Sequence, residues 1–334
     1  MHIPENYLSP STCGVFDVVM IPIWAHAIKK VRETVPREKM PLLGVAAAFC
    51  FLAMMFNVPL PGGTTGHAVC GTLVAILFGP WAATIAVSIA LIIQAVFFGD
   101  GGILAIGANC FNMAFVLPLV GYGIYSFILG HSKNKSLGTE LIAAGVGSYV
   151  AINLAAICAA IEFGVQPLLF TDGAGHALYC PYPLWVSIPA MSIGHLTIFG
   201  LAEVVFTVGI LAFVRKVAPS FGVKTPVVET KDKKAFAPVY ALIAALVVLT
   251  PLGLIAEGDA WGEWGTEDLA DMVGYTPVGL GDGWEWTALM PDYSLAALPD
   301  IAGYILSAII GVALLIVIFR LVAAAMKPAV DFDK

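Results

Sequence analysis

An all-α integral membrane protein is the fold class that the sequence predicts. The observations behind it are composition, the length of the apolar runs and the placement of the basic residues between them. Of the 334 residues 59% are hydrophobic and only 12% charged, with a mean hydropathy of +0.90. Such a chain cannot present enough polar surface to water, so its solvent is a bilayer. Apolar runs with almost no charge recur from end to end, and roughly 20 such residues suffice for one span.

The spans follow in order at about 13–28, 41–58, 68–97, 102–130, 139–165, 186–214, 238–256 and 301–326. The third run is too long for one ordinary helix and is broken at Gly79-Pro80-Trp81, where the proline cannot donate to a helix ladder. It reads as a short helix and a full one, making about nine transmembrane helices. With nine helices and the amino terminus outside, all 16 Lys and Arg residues fall on one side, which the positive-inside rule makes the cytoplasm. The expected location is a prokaryotic inner or plasma membrane, with the carboxy terminus cytoplasmic.

Three regions are expected: a membrane domain of seven helices over 1–217, a basic cytoplasmic linker over 218–237, and a two-helix extension over 238–334. The extension's outer loop, 257–300, carries ten acidic residues and no Lys or Arg, together with Trp261, Trp264, Trp284 and Trp286. Interfacial tryptophans suit a membrane-hugging cap, and an acidic outer surface raises the local concentration of cations. No basic n-region or cleavage site marks a signal peptide, so the start methionine is expected to persist. The six cysteines lack C-x-x-C spacing, so neither a zinc knuckle nor a redox pair is indicated.

Chemistry enters at the first dipeptide. The α-amine of Met1, the deprotonated amide of His2 and its nearer imidazole nitrogen close two chelate rings around one ion. An all-nitrogen set suits tetragonal Ni(II), Cu(II) or low-spin Co(II) and leaves one position in the plane. Residues 58–71, Val-Pro-Leu-Pro-Gly-Gly-Thr-Thr-Gly-His-Ala-Val-Cys-Gly, form a glycine-rich loop on the same predicted face. Irregular backbone at membrane depth is tolerated where protein buries it or it lines a cavity. His67 is therefore the candidate for the fourth corner.

Met1-His2-Ile3-Pro4 with Tyr7-Leu8-Ser9-Pro10, the Gly63-Thr64-Thr65-Gly66-His67 loop and the run Phe98-Gly99-Asp100-Gly101-Gly102…Gly107-Ala108-Asn109…Phe111-Asn112-Met113 resemble the CbiM/NikM family. These are substrate-specific (S) components of energy-coupling-factor (ECF) transporters for cobalt and nickel. The resemblance covers about residues 1–217. It implies a helical core with an extra amino-terminal helix, here 13–28, and a metal held by Met1, His2 and His67. Partners implied are an ECF membrane coupling protein and ATPase subunits. The two carboxy-terminal helices resemble the family's accessory subunit fused to the chain, although its Pro-Asp-Gly signature is not intact; only Gly281-Asp282-Gly283 and Pro291-Asp292 approach it.

Metal-bound imidazoles usually donate their remaining N–H to a neighbouring acceptor, and Asn109 and Asn112 are placed to orient the ligands. Interhelical hydrogen bonding is the structural alternative for both. Asp17, Glu162 and Glu203 lie within predicted helices, where an acid is functional or a protonated structural link. His195, in the outer half of a helix, is the reserve ligand. No catalytic residue, resident cofactor or nucleic-acid partner is expected; Ni2+ or Co2+ is cargo. No phosphate-binding G-x-x-x-x-G-K-[ST] loop is present, so ATP hydrolysis belongs to partners. A self-sufficient secondary transporter would need a polar relay across the membrane. An intramembrane metalloenzyme would need a motif such as H-E-x-x-H, which does not occur.

Overall fold

The computed structural model describes residues 1–60, 64–222, 236–256 and 258–326. Most of the predicted basic linker, Pro61, Gly62 and Gly63 of the histidine loop, Glu257, Lys327 and Lys334 lie outside the described residues. Among the described residues eight helices are long and apolar enough to cross a membrane. They are α1 (Pro10–Thr34), α2 (Arg37–Met55), α4 (Pro80–Phe98), α5 (Ile106–His131), α6 (Leu137–Leu169), α7 (Leu184–Val217), α8 (Ala237–Ile255) and α9 (Asp300–Ala325). The predicted ninth is α3 (Gly71–Phe78), an eight-residue helix too short to span alone.

Local chemistry sets the helix boundaries. Ser9 caps α1, its hydroxyl accepting from Thr12 N–H, and Pro10 fills the first turn, where a missing N–H costs nothing. Gly79, at φ +97°, separates α3 from α4, in agreement with the sequence. The predicted start of α5 at 102 is displaced to Ile106, because Gly99–Ala105 wraps the amino-terminal segment instead of continuing a helix. Gly102 N–H donates to Ile3 O there (2.8 Å).

α2 lies at the centre, with 89% of its apolar window buried against 17% for α1, which faces outward. A helix hydrophobic on all sides belongs inside a bundle. α9 packs antiparallel along α2: a Cβ on Gly44 would come within 2.8 Å of Phe319 Cβ, and one on Gly311 would overlap the Phe51 ring. Small residues at helix contacts permit this close approach. At the lysine- and arginine-rich end, Arg215 on α7 grips Glu140 on α6 (2.7 Å), and Tyr125 of α5 donates to the same carboxylate (3.0 Å). Connectivity puts Met1, the histidine loop and the outer loop of the extension at the opposite end.

A candidate metal centre at the amino terminus

Residues 1–9 run inward as an irregular segment with a turn at Glu5-Asn6, where Asn6 is left-handed (φ 64°), instead of lying on the surface. Met1, His2, Ile3, Tyr7, Leu8 and Ser9 are all buried. The clamp is Asn109, whose Oδ1 accepts from Ile3 N–H (2.7 Å) and whose Nδ2 donates to Ile3 O (3.0 Å). One side-chain amide thus satisfies both polar groups of a buried backbone unit, as a neighbouring strand would. Glu5 adds a second anchor by accepting from Ile103 N–H (2.6 Å). Gly101, at φ +88°, lets the backbone pass beside the His2 ring, a conformation other residues adopt only under strain.

The histidine loop is built around a short antiparallel pair, β1 (Val58–Leu60) and β2 (Thr64–Gly66). Beyond it the chain dives inward to α3. Cys70 is left-handed (φ 63°), and the N–H groups of Val69 and Cys70 donate to Glu203 on α7 (2.8 and 2.9 Å). That buried carboxylate holds the loop from below. Asp17 accepts from Gly107 N–H (3.0 Å) and Glu162 from Asn112 Nδ2 (2.8 Å), so all three intramembrane acids join neighbouring elements. Asn112 therefore turns its nitrogen to Glu162, while Asn109 meets the backbone next to His2. His195 is held by its own helix, its Nδ1 2.8 Å from Met191 O. It does not line the cavity that His2 and His67 share.

Within that cavity His67 Nε2 and His2 Nδ1 face each other at 3.1 Å, their ring centroids 4.9 Å apart. The outer nitrogens are turned away: His67 Nδ1 lies 3.2 Å from Ala68 O, and His2 Nε2 is buried without a well-aligned partner. Met1 is 4% exposed, and its ammonium pairs with Glu263 Oε1 (3.4 Å). Asp100 Oδ1 stands 3.1 Å from His2 Nδ1. Burial, and then the nearby ammonium, lower the His2 pKa to about 3. His67 is held well below the usual range by burial, His2 and the same ammonium. Both rings are therefore neutral and available as donors at physiological pH.

The cavity, about 330 Å³, opens toward carboxylates that the sequence had placed only in an acidic loop: Asp259, Glu263 and Asp292. Burial raises Glu263 to about 7 and pushes Asp259 and Asp292 upward. The cap docks through specific bonds. Thr65 bridges Ala260 and Thr64 Oγ1 donates to Asp259 O (3.1 Å); Tyr7 OH donates to Trp264 O (2.6 Å) and Asn6 Nδ2 to Trp284 O (3.0 Å). Of its four tryptophans, Trp261 and Trp264 pack inward against Tyr182, whereas Trp284 and Trp286 are nearly half exposed. Among the described residues no three His, Cys, Asp or Glu side chains form a metal cage, so a metal at this place needs the amine and backbone donors as well.

The model of the CbiM cobalt-uptake substrate-specific transmembrane region matches residues 2–221. The chain belongs to the CbiM family. A PDGLE-domain model matches 237–328, which also covers Pro251-Leu252-Gly253-Leu254. The glycine of this tetrapeptide is required sterically, since a Cβ on Gly253 would overlap Met55 O at the end of α2.

The probable fused nickel transport protein LarMN of Lactiplantibacillus plantarum is 46% identical over 96% of this chain and 97% of its own length. The fused nickel transport protein NikMN of Rhodobacter capsulatus is 46% identical over 95% of each. A crystal structure of a transition metal transporter superposes with TM-score 0.61 at 50% identity, covering 66% of this chain and 94% of that one. The chain is thus a multi-pass membrane protein of a metal-uptake family, a transport protein in kind.

Proposed function

We propose that this CbiM-family chain captures Ni2+ or Co2+ from outside the cell as the substrate-binding subunit of an ATP-driven ECF transporter. The Met1 amine, the His2 amide and Nδ1, and His67 Nε2 form the plane around the ion. The observation that carries this reading is the pair of facing imidazole nitrogens beside the buried amine. Adjacent corners of a square with metal–nitrogen bonds of about 2.0 Å stand roughly 2.8 Å apart, and the two nitrogens are 3.1 Å apart. Two lone pairs at that distance gain most when a cation lies between them.

The two family matches, over 2–221 and 237–328, support a division into membrane domain, linker and extension, and positive-inside reasoning supports an outward-facing amino terminus and cavity. Coupling to ATP through partners is favoured over a self-sufficient relay because Asp17, Glu162 and Glu203 are each engaged in bonds between elements. The test is one residue added before Met1, which keeps every side chain and moves only the amine. Purified extended protein should lose its bound metal, measured by elemental analysis; retention of one Ni or Co per chain would remove the amine from the ligand set. Uptake into proteoliposomes with and without the ATPase partners separates the two transport modes.

A further inference from the structure

Gln94, in the last, π-helical turn of α4, belongs to no motif, yet it is fully buried beside the metal centre. Its Nε2 donates to Tyr293 OH (2.9 Å) and to Asp100 Oδ2 (3.1 Å), and Tyr293 OH donates to the same Asp100 oxygen (2.5 Å). The triangle fixes which way the amide points. A carboxylate only accepts, and the phenol proton is spent on it, so the phenol oxygen must accept from Gln94. The nitrogen belongs at this corner and Oε1 must face the other way. There, Gln94 Oε1 and His2 Nε2 are both buried and neither has a hydrogen-bond partner, while the Gln94 side chain acts on the His2 ring. Tyr293 is itself immobilised, stacked on Phe98 (4.9 Å, 21°) and edge-on to Tyr304.

We propose that Tyr293, contributed by the carboxy-terminal extension, is a positioning residue for the metal site: it locks Gln94 so that Oε1 receives His2 Nε2–H and leaves Nδ1 as the donor. Asp100 Oδ1, 3.1 Å from Nδ1, competes for a proton there when no ion is bound, which makes the Gln94 carbonyl the group that favours the metal-binding tautomer. Outer partners of this kind commonly change metal affinity 10- to 100-fold.

This inference rests on the ligand set above, and its test keeps the two apart. Ni2+ affinity and the d–d spectrum of the Ni2+-loaded full chain are measured for wild type, Tyr293→Phe, Gln94→Leu and the double variant, with Tyr304→Phe as control. Tyr304 also lines the cavity, but its OH donates to Met55 O (2.8 Å). Tyr293→Phe keeps the stacking and should weaken binding roughly tenfold, with a shifted d–d band in the fraction still loaded. The double variant should be no weaker than Gln94→Leu, because one residue acts through the other. Additive losses, unchanged Tyr293→Phe affinity, or weaker binding with an unshifted band would overturn the proposal. Absence of Ni2+ binding in wild type, or its persistence after His67→Ala, would instead sink the ligand set.

Discussion

His2 and His67 present nitrogens from residues only 2% and 6% exposed, whereas Asp259 and Asp292 present carboxylates from a cap loop open to water. The nitrogen side is held from behind by Asn109, Glu5 and Glu203. The oxygen side hangs from backbone bonds such as Thr65 to Ala260. Nitrogen donors in a plane favour late first-row metals, and carboxylates favour harder cations. On the proposed function, selection and retention fall to the rigid side and concentration of passing cations to the exposed one.

The most damaging change to this contrast is His67→Ala, which removes one corner and should leave purified protein without stoichiometric metal by mass spectrometry, its helical circular dichroism unchanged. Asn109→Leu spares every ligand but strands the N–H of Ile3, whose C=O keeps the Gly102 N–H. An unsatisfied buried group costs about 1–3 kcal/mol, so affinity for Ni2+ should fall by about 5- to 150-fold in a competition titration. The double change Asp259→Asn and Asp292→Asn should slow association severalfold at low salt and leave dissociation unaltered, measured by stopped flow. An equal change in dissociation would mean that the carboxylates help to hold the ion.

The smallest expected effect is on pH dependence. His2 titrates at about 3 when folded, against an ordinary 6.5, so between those values the unfolded chain takes up a proton that the folded chain does not. Stability is lost as pH falls below 6.5, by up to about 1.4 kcal/mol per pH unit for this one group. The thermal midpoint of the metal-free protein should drop less between pH 7 and 5 in His2→Gln than in wild type. Glu263, raised to about 7, works in the opposite direction and is common to both proteins.

How much of this was legible in the sequence differs between the same two sides. Met1-His2 and the loop around His67 advertise themselves because chelation by adjacent atoms and a polar loop among apolar runs are local signals. The apolar segments were equally local signals, although among the described residues eight and not nine are long enough to span, α3 falling short. Asp100 was visible as part of a motif but without a role, and Glu263 and Tyr293 were only members of an acidic loop. Their contacts join residues 262 positions apart (Met1 and Glu263) and 199 apart (Gln94 and Tyr293), separations at which periodicity and spacing carry no information. Glu203 drew notice as a buried acid, but its hold on Val69 and Cys70 needed coordinates.

The seam between α2 and α9 has a mechanical consequence. Gly44 receives Phe319 near one end and Gly311 receives Phe51 farther along, two interlocks about 10–12 Å apart at 1.5 Å per residue. Each runs in the opposite sense, a ring of one helix seated in a notch of the other. Teeth meshed at two heights forbid a piston stroke along the axis without unseating both rings at once. If the cap lifts to admit an ion, the motion is that of a hinged flap on a fixed post.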